Sequence, residues 1–281
     1  MAHERATGRG VREIASPANA LLKVFRRALA DGVTREGWLA VEGPHLVEEA
    51  LDAGESSVRS KVIVQSVLVA HGVATKFREL LERLTRDAEV TEVPDRLFDS
   101  VAQTETPQGI AALVELTPYD IAAAFARPDA LILVACGLQD PGNLGTMMRS
   151  AQALGGSALV TLPATVSPFN PKAVRSSAGA IFRLPVFRND HPARLVERAK
   201  SAGVVLVAAD RHASLAAVDA DLRGPVAFLI GQEAAGLPDE IARHAAVRVS
   251  VPIRADTDSL NASTAASILL YEAARQRGFK S

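Results

Sequence analysis

The second half of the chain alternates short apolar segments with segments of helical periodicity, and this alternation constrains the fold more than any other feature. Four stretches of strand length are almost entirely apolar, namely 131–138, 158–162, 204–209 and 226–230. A strand that is apolar on both faces is typical of a parallel sheet that helices cover on both sides. The sequence therefore predicts an α/β fold with a largely parallel sheet in this half.

A similar alternation of strands and helices runs through the first half and predicts a smaller α/β domain. The chain has 281 residues, of which 48% are hydrophobic, so it is long enough for two domains with separate cores. We predict a flexible basic arm over 1–17, a small domain over 18–116 and a linker over 117–129, which contains two prolines and an alanine run. The larger domain would occupy 130–281.

Composition excludes several classes of protein. The longest apolar runs have the length of strands, which predicts no membrane span, and the first residues lack the apolar core of a secretory signal. The single cysteine, Cys136, cannot form an internal disulfide, and without a Cys/His cluster no metal site is expected. These features predict a cytoplasmic protein. The net charge of −1 argues against wholesale coating of nucleic acid, although the basic arm permits contact with phosphates.

Three polar segments follow predicted strands or lie between a strand and a helix. They span 140–149, 231–238 and 254–261. In open parallel sheets ligands gather at the carboxyl ends of the strands, so we expect these segments to converge on one site. The first segment has neither the glycine spacing of a dinucleotide fingerprint nor the Lys-Ser/Thr of a phosphate-binding P-loop.

Some residues of these segments have the properties of helix caps. Asn143 could cap the helix that the periodicity predicts over 144–154. Ser259 or Asp258 could cap the last helix of the chain. Taken singly, each is an ordinary structural residue.

Other residues of the same segments could serve either a ligand or the fold. Gly142 and Gly145 indicate backbone that turns tightly or approaches a ligand closely. Arg149 could bind a phosphate or coat its helix. Glu233 directly follows a buried strand, where a carboxylate is costly without a partner. Together and in this order, these residues favour a functional site.

The sequences of the three segments, and their order along the chain, resemble those of a known family. DPGNLGTMMRSA, FLIGQEAAGLP and VPIRADTDSLNASTAASILLYEA resemble the three signature motifs of the SpoU (TrmH-like) branch of the SPOUT superfamily, the RNA ribose 2′-O-methyltransferases. In the first half, SPANALLKVFRRAL and WLAVEGPHLVEEALDAG are similar to the substrate-binding domain of the members that modify ribosomal RNA. The resemblance covers all of the second half and, less strongly, the first.

This resemblance implies a trefoil knot in the C-terminal domain, S-adenosylmethionine as cofactor and a homodimer formed through the catalytic domain. The adenine ring needs a flat apolar slot with backbone hydrogen bonds at its edge. The residues expected at the cofactor site are Gly231, Val251, Ile253, Leu260, Leu229 and Ile230.

The resemblance also assigns catalytic roles. Arg149 occupies the position of the reactive arginine of the family and would clamp a phosphate and stabilise the developing alkoxide, since an arginine is effectively always protonated. A phosphate-assisted proton transfer fits the same residue. The residues expected to hold Arg149, the ribose and the methionine end of the cofactor in register are Asn143, Glu233, Ser259 and Asn261. The reaction requires no metal, because the methyl group of a sulfonium is already activated.

Alternatives remain for the substrate and for the activity. The N-terminal domain favours ribosomal RNA of the 23S type over transfer RNA as the substrate. A non-catalytic RNA-binding dimer is the alternative to an enzyme, and a dehydrogenase is disfavoured by the missing glycine fingerprint. Arg175, on the helix predicted over 170–182, could contact an RNA phosphate or simply lie on a solvated face.

Overall fold

The computed structural model of the protein describes residues 11–55, 62–232, 235–254 and 256–278. The chain divides into two compact units, Met1–Thr117 and Pro118–Ser281. Within the described segments, no helix combines the length and the apolar character that crossing a membrane requires.

The first unit contains one mixed sheet and short helices. Its strands are β1 (Arg12–Glu13), β2 (Leu39–Glu42), β3 (Val62–Ala70), β4 (Glu89–Val93) and β5 (Ile110–Leu116). Its helices are α1 (Ala20–Asp31), α2 (Pro44–Glu55), α3 (His71–Ala74), α4 (Arg78–Leu84) and α5 (Asp95–Asp99). The strand order is β1-β4-β3-β5-β2, in which β1, β4 and β3 are parallel and β5 is antiparallel to both neighbours. This is the smaller α/β domain that the sequence predicts.

Local sequence explains where α1 begins and ends. The side chain of Asn19 accepts a 2.8 Å hydrogen bond from the backbone N–H of Leu21 and caps the helix. Leu22 and Phe25 are fully buried on its inner face. The helix ends at Gly32, whose φ of 91° lies in the left-handed region that glycine adopts most easily.

The second unit contains a sheet of parallel strands. Its strands are β6 (Leu131–Ala135), β7 (Ala158–Thr161), β8 (Val186–Phe187), β9 (Val205–Ala209), β10 (Val226–Ile230) and β11 (Val247–Val249). Its helices are α6 (Ile121–Phe125), α7 (Pro141–Ala153), α8 (Pro171–Ser176), α9 (Pro192–Ala202), α10 (Asp239–Ala242) and α11 (Ala262–Gln276). The strand order is β11-β9-β10-β6-β7-β8, and every pairing is parallel. Since β6, β7 and β10 are buried along their whole length, the predicted parallel α/β sheet is confirmed. The knot implied by the resemblance stays a prediction.

Arg277, directly after α11, fixes the end of the last helix to the amino ends of two central strands. Its guanidinium donates to the carbonyl of Leu222 at 3.0 Å and to that of Asp129 at 2.9 Å. It also donates to the carbonyls of Ala130 and Gly224. Partial burial of the guanidinium lowers the pKa of Arg277. The end of α11 is therefore held against the segments that precede β6 and β10.

The described part of the predicted flexible arm, 11–17, contains a strand. Residues 1–10 lie outside the described residues, but β1 pairs in parallel with the edge strand β4. The N–H of Ile14 continues this pairing with a 3.0 Å hydrogen bond to the carbonyl of Glu92. The unpaired edge of β4 accounts for the difference, because its backbone groups require partners.

The segment predicted as a linker, 117–129, contains a helix in its central part. Asp120 accepts a 2.8 Å hydrogen bond from the N–H of Ala122 and starts α6 there. Ala124 and Phe125 of this helix belong to the buried core of the second unit. Its apolar residues therefore join that core instead of spanning solvent.

Two helices near the polar segments also differ from their predictions. Helix α7 begins at Pro141 rather than at residue 144, because Asp140 accepts the N–H of Gly142 at 2.6 Å and proline fits the first turn. The helix predicted over 170–182 is interrupted: Ala178 and Gly179 have φ of 48° and 86°, and a short 3-10 helix follows.

Candidate functional site

A pocket of about 360 Å³ lies at the carboxyl ends of β9, β10 and β11. Its walls come from the segments that follow these strands and from the start of α11. The predicted cofactor residues that line it are Ile230, Gly231, Val251, Ile253 and Leu260. Leu229 is instead fully buried within β10, where it belongs to the core of the second unit.

The loop after β10 folds back on itself at the pocket. The backbones of Gln232 and Gly236 exchange hydrogen bonds of 3.1 and 2.9 Å. A Cβ added at Gly231 would lie 2.2 Å from the carbonyl oxygen of Gly236, so only glycine permits this approach. The side-chain amide of Gln232 also donates to the carbonyl of Gly137, in the loop after β6. Two neighbouring strand ends are thereby tied together.

The loop after β9 forms a wall of the pocket that sequence reasoning missed. Asp210, Arg211 and His212 all line it. The N–H of His212, and secondarily the guanidinium of Arg248 at 3.1 Å, hydrogen-bond the carboxylate of Asp210 and lower its pKa. These residues belong to no motif. The only indication in the sequence was that they follow an apolar strand, whose carboxyl end could border a ligand site.

Arg211 connects the β9 loop to the last polar segment. Its guanidinium donates a 2.7 Å hydrogen bond to the backbone carbonyl of Asp258 and a 3.0 Å bond to Nε2 of His212. Asp258 immediately precedes Ser259 and Leu260, which both line the pocket. Arg211 therefore holds this segment at the pocket.

The first and third polar segments meet through their asparagines. The amide of Asn261 donates a 2.8 Å hydrogen bond to the side-chain oxygen of Asn143 on α7. The Oδ1 atom of Asn261 accepts the backbone N–H of Ser263 at 2.9 Å and the Ser263 hydroxyl at 2.7 Å. Asn261 is therefore the cap of α11, in place of the predicted Ser259 or Asp258. Asn143 lies inside α7, which Asp140 caps.

Arg149 lies on the exposed side of α7, six residues after Asn143. At 1.5 Å per residue this is about 9 Å further along the helix axis. The neighbouring Ser150 contacts Ser267 of α11, with 2.7 Å between their hydroxyl oxygens. Over the part of the chain that the structure describes, Arg149 has no hydrogen-bonded or ion-paired partner. Its guanidinium is available to an external anion.

The remaining predicted catalytic residues have different outcomes. Ser259 lines the pocket. Glu233 lies outside the described residues, so its predicted role stays a prediction.

Gly145 serves helix packing. A Cβ added there would lie 2.4 Å from the carbonyl oxygen of Ala173 and 2.5 Å from Cβ of Ser176, both on α8. Its hydrogen lets α8 lie directly against α7. The sequence suggested either a tight turn or a close approach to a ligand at Gly145. The structure shows a close approach, but to the helix α8 and not to a ligand.

Other reactive side chains lie outside the pocket. In the first unit, Glu13, His71 and Glu92 bring possible ligand atoms within 4.8 Å of one another at the protein surface. The expectation of no metal site stays a prediction. Cys136 follows β6, and burial raises the pKa of its thiol to about 12. It is therefore protonated and a poor nucleophile.

Comparison with known proteins agrees with this geometry. Residues 130–271 match the model of the SpoU rRNA Methylase family, and residues 34–112 match that of the MRM3-like substrate binding domain. A 23S rRNA (uridine(2479)-2'-O)-methyltransferase from Streptomyces viridochromogenes is 37% identical over 205 residues, which are 71% of each chain. The 23S rRNA (guanosine(2553)-2'-O)-methyltransferase RlmP from Bacillus subtilis (strain 168) is 32% identical over 238 residues, covering 85% of this chain and 89% of that one.

A solved structure shares the fold over nearly the whole chain. The SpoU methyltransferase AviRb from Streptomyces viridochromogenes, in complex with the cofactor AdoMet, superposes with a TM-score of 0.80 and 31% identity. The match covers 94% of this chain and 100% of that one. Fold and site thus define an RNA methyltransferase. The chain belongs to the SpoU rRNA Methylase family. The predicted family and enzyme class are confirmed.

Proposed function

We propose that the protein transfers a methyl group from S-adenosylmethionine to a ribose 2′-hydroxyl of ribosomal RNA of the 23S type. The observation that carries the proposal is the position of Asn261. It lies in sequence between Leu260 and Ala262, which line the pocket, and its side chain is bonded to Asn143 of α7. The pocket and α7, the helix that carries Arg149, therefore meet at this residue.

The pocket suits S-adenosylmethionine by its volume and its lining. Its volume of about 360 Å³ falls within the range of small-molecule sites. Ile230, Val251, Ile253 and Leu260 offer apolar surface for a purine, while Ser259 and Asp210 offer polar atoms for the rest of the molecule. When bound, this cofactor supplies a methyl group that is already activated by its sulfonium.

The residues of the chain would align the ribose and support loss of its proton. Arg149 would bind the RNA phosphate and stabilise negative charge on the 2′-oxygen as the proton leaves for that phosphate or for water. Asn143 and Asn261 would fix α7 relative to the pocket, and with them the position of Arg149. Ser259 would orient the groups at the pocket, and Glu233 keeps its predicted role of holding Arg149, the ribose and the cofactor in register.

The proposed assembly is a homodimer formed through the second unit. Ile268 and Tyr271 on α11 are 38% and 59% exposed, which leaves apolar surface on the outer side of this helix. A ribosomal substrate also agrees with the predicted cytoplasmic location. The support for ribosomal RNA is the match of residues 34–112 to a substrate-binding domain and the names of the two curated relatives.

Binding and activity measurements test this function together. Calorimetry should show that S-adenosylmethionine and its demethylated product bind, whereas NAD does not. Arg149→Ala should lower the methylation rate constant at least about 100-fold and leave cofactor affinity within about twofold, because the lost charge acts on the transition state. Arg194→Ala, on the exposed face of α9, is the matched control and should retain activity. Equal activity of the Arg149 variant would remove this residue from the mechanism.

Mapping identifies the substrate. Ribose methylation would be compared in total RNA from cells with and without the gene. Loss of one modification in 23S rRNA is the expected result, and loss in transfer RNA instead would overturn the ribosomal assignment. The two curated relatives carry different nucleotides in their names, so neither position is transferred to this chain.

A further inference from the structure

A positively charged surface lies beside the start of α7 and does not line the pocket. It consists of Phe169, Lys172, Arg175 and Arg188, which we call the α8 patch. The three cationic side chains are exposed, and the Phe169 ring is half-buried.

Arg188 lies over the ring of Phe169. Its guanidinium carbon lies 5.3 Å from the centre of the Phe169 ring, a cation–π contact that limits the motion of both groups. The turn that presents Arg188 is fixed, because Asn189 adopts φ 54° and donates its N–H to the Thr161 hydroxyl at 3.1 Å. The Arg188 side chain is exposed, so its guanidinium remains accessible to a base.

Lys172 and Arg175 extend the patch along α8. They are three residues apart and therefore lie on neighbouring turns of one helix face. The ammonium of Lys172 lies 3.3 Å from the carboxylate of Asp140, the cap of α7. Because Gly145 lets α8 pack directly on α7, the patch is held rigidly beside the helix that carries Asn143 and Arg149.

We propose that the α8 patch binds a single-stranded segment of the substrate RNA next to the methylated nucleotide. This inference rests on the proposed function. One unpaired base stacks on the guanidinium of Arg188, and the flanking phosphates contact Lys172 and Arg175. A planar cation beside an aromatic ring favours RNA over an acidic protein, since unstacked bases are recognised on arginine and aromatic planes. The two exposed cations supply the phosphate contacts that position a strand.

Fluorescence anisotropy with a labelled single-stranded RNA oligonucleotide tests the stacking contact. Arg188→Ala should weaken binding about 5- to 20-fold, within the range of one base stack. Arg188→Lys keeps the charge but loses the plane, so it should recover only part of the affinity. Arg223→Ala is the matched control, because Arg223 pairs with Asp221 in the loop before β10, at the opposite end of the strands. It should bind RNA like the wild type.

Salt dependence tests the phosphate contacts. In the double variant Lys172→Ala/Arg175→Ala, the slope of log K against log salt should fall by about 1 to 2. Calorimetry with S-adenosylmethionine should show unchanged cofactor affinity in every patch variant. If Arg188→Lys restored the full affinity for single-stranded RNA, the proposed base stacking would be overturned. It would also be overturned if Arg188→Ala weakened the binding of duplex RNA as much as that of single-stranded RNA.

The results separate this inference from the proposed function. If Arg188→Ala and the double variant methylate RNA with wild-type kcat/KM, the patch is overturned while the enzyme assignment stands. If the wild type binds RNA through the patch but methylates none of its riboses, the assignment fails and the patch stands. Reduced kcat/KM with unchanged cofactor affinity supports both.

Discussion

The side-chain amide of Asn261 donates a 2.8 Å hydrogen bond to the side-chain oxygen of Asn143, although the two residues are 118 positions apart. One of them caps α11 and the other lies within α7. This bond joins the first and third polar segments of the chain, so removal of either partner should affect both helices.

A double-mutant cycle measures this connection. Asn261→Ala should lower the free energy of unfolding by about 1–2 kcal/mol, because a cap and a side-chain bond are lost together. Combined with Asn143→Ala, the effects should fall short of additivity by at least about 0.5 kcal/mol. Urea unfolding monitored by circular dichroism provides the values. Asp120→Ala, which removes the cap of α6, should add to Asn261→Ala without coupling. A coupling energy of zero between the asparagines would show that their contact contributes nothing.

Arg211 should control cofactor affinity without taking part in chemistry. Its 2.7 Å bond to the carbonyl of Asp258 holds the segment that presents Ser259 and Leu260. Loss of this charged hydrogen bond in Arg211→Ala should raise the Kd for S-adenosylmethionine roughly tenfold. Calorimetry checks this value. Arg254→Ala lies on the same segment but pairs only locally with Asp256, and its side chain is 85% exposed, so its Kd should not change. Equal losses in both variants would argue against a specific tether.

Gly145→Ala should be destabilising despite the higher helix propensity of alanine. The added Cβ would lie 2.4 Å from a backbone oxygen of α8, so the helices must move apart at a cost of about 1–3 kcal/mol. Gly224→Ala is a matched control, because its Cβ would have no atom within 4 Å and should change the unfolding free energy by less than about 0.5 kcal/mol. Chemical denaturation compares the two. A Gly145→Ala protein as stable as the wild type would contradict the packing explanation.

Arg277→Ala should be among the more damaging substitutions of a partly exposed residue. The lost guanidinium leaves the carbonyls of Asp129 and Leu222 without a donor, and the cost should be about 2–4 kcal/mol. Thermal unfolding provides the measurement. The exposed Arg194 of α9 gives the comparison, since its removal should change stability by less than about 0.5 kcal/mol. If the Arg277→Ala and Arg194→Ala variants have the same Tm, the hydrogen bonds of Arg277 do not stabilise the protein.

Hydrophobic pattern was sufficient to predict the sheet of the second unit but not its helix boundaries. Buried strands such as β6 and β10 can be recognised in the sequence as continuous apolar runs. The start of α7 depends instead on whether Asp140 or Asn143 accepts the first free N–H, and both are good caps. Tertiary contact decides between them, because Asn143 is used by Asn261. In α11 the two roles are compatible, because Asn261 contacts Asn143 through its amide nitrogen and caps the helix through Oδ1.

The site was predictable where a motif marks it and not where ordinary residues build it. Five of the six expected cofactor residues line the pocket, while Leu229 points into the core because successive residues of a strand face opposite sides. Arg211 gives no sequence signal, since its role is a bond to a backbone carbonyl far along the chain. A contact of that kind depends on strand order, which periodicity does not contain.

The hydrogen bonds from Arg277 to the segments before β6 and β10 have a consequence for folding during translation. Arg277 follows α11, so a ribosome must translate the whole second unit before this guanidinium emerges from the exit tunnel. The earlier strands can pair while the chain is still growing, but this closure waits until Arg277 itself has left the tunnel. A nascent chain stalled before this arginine should therefore remain accessible to chaperones and proteases.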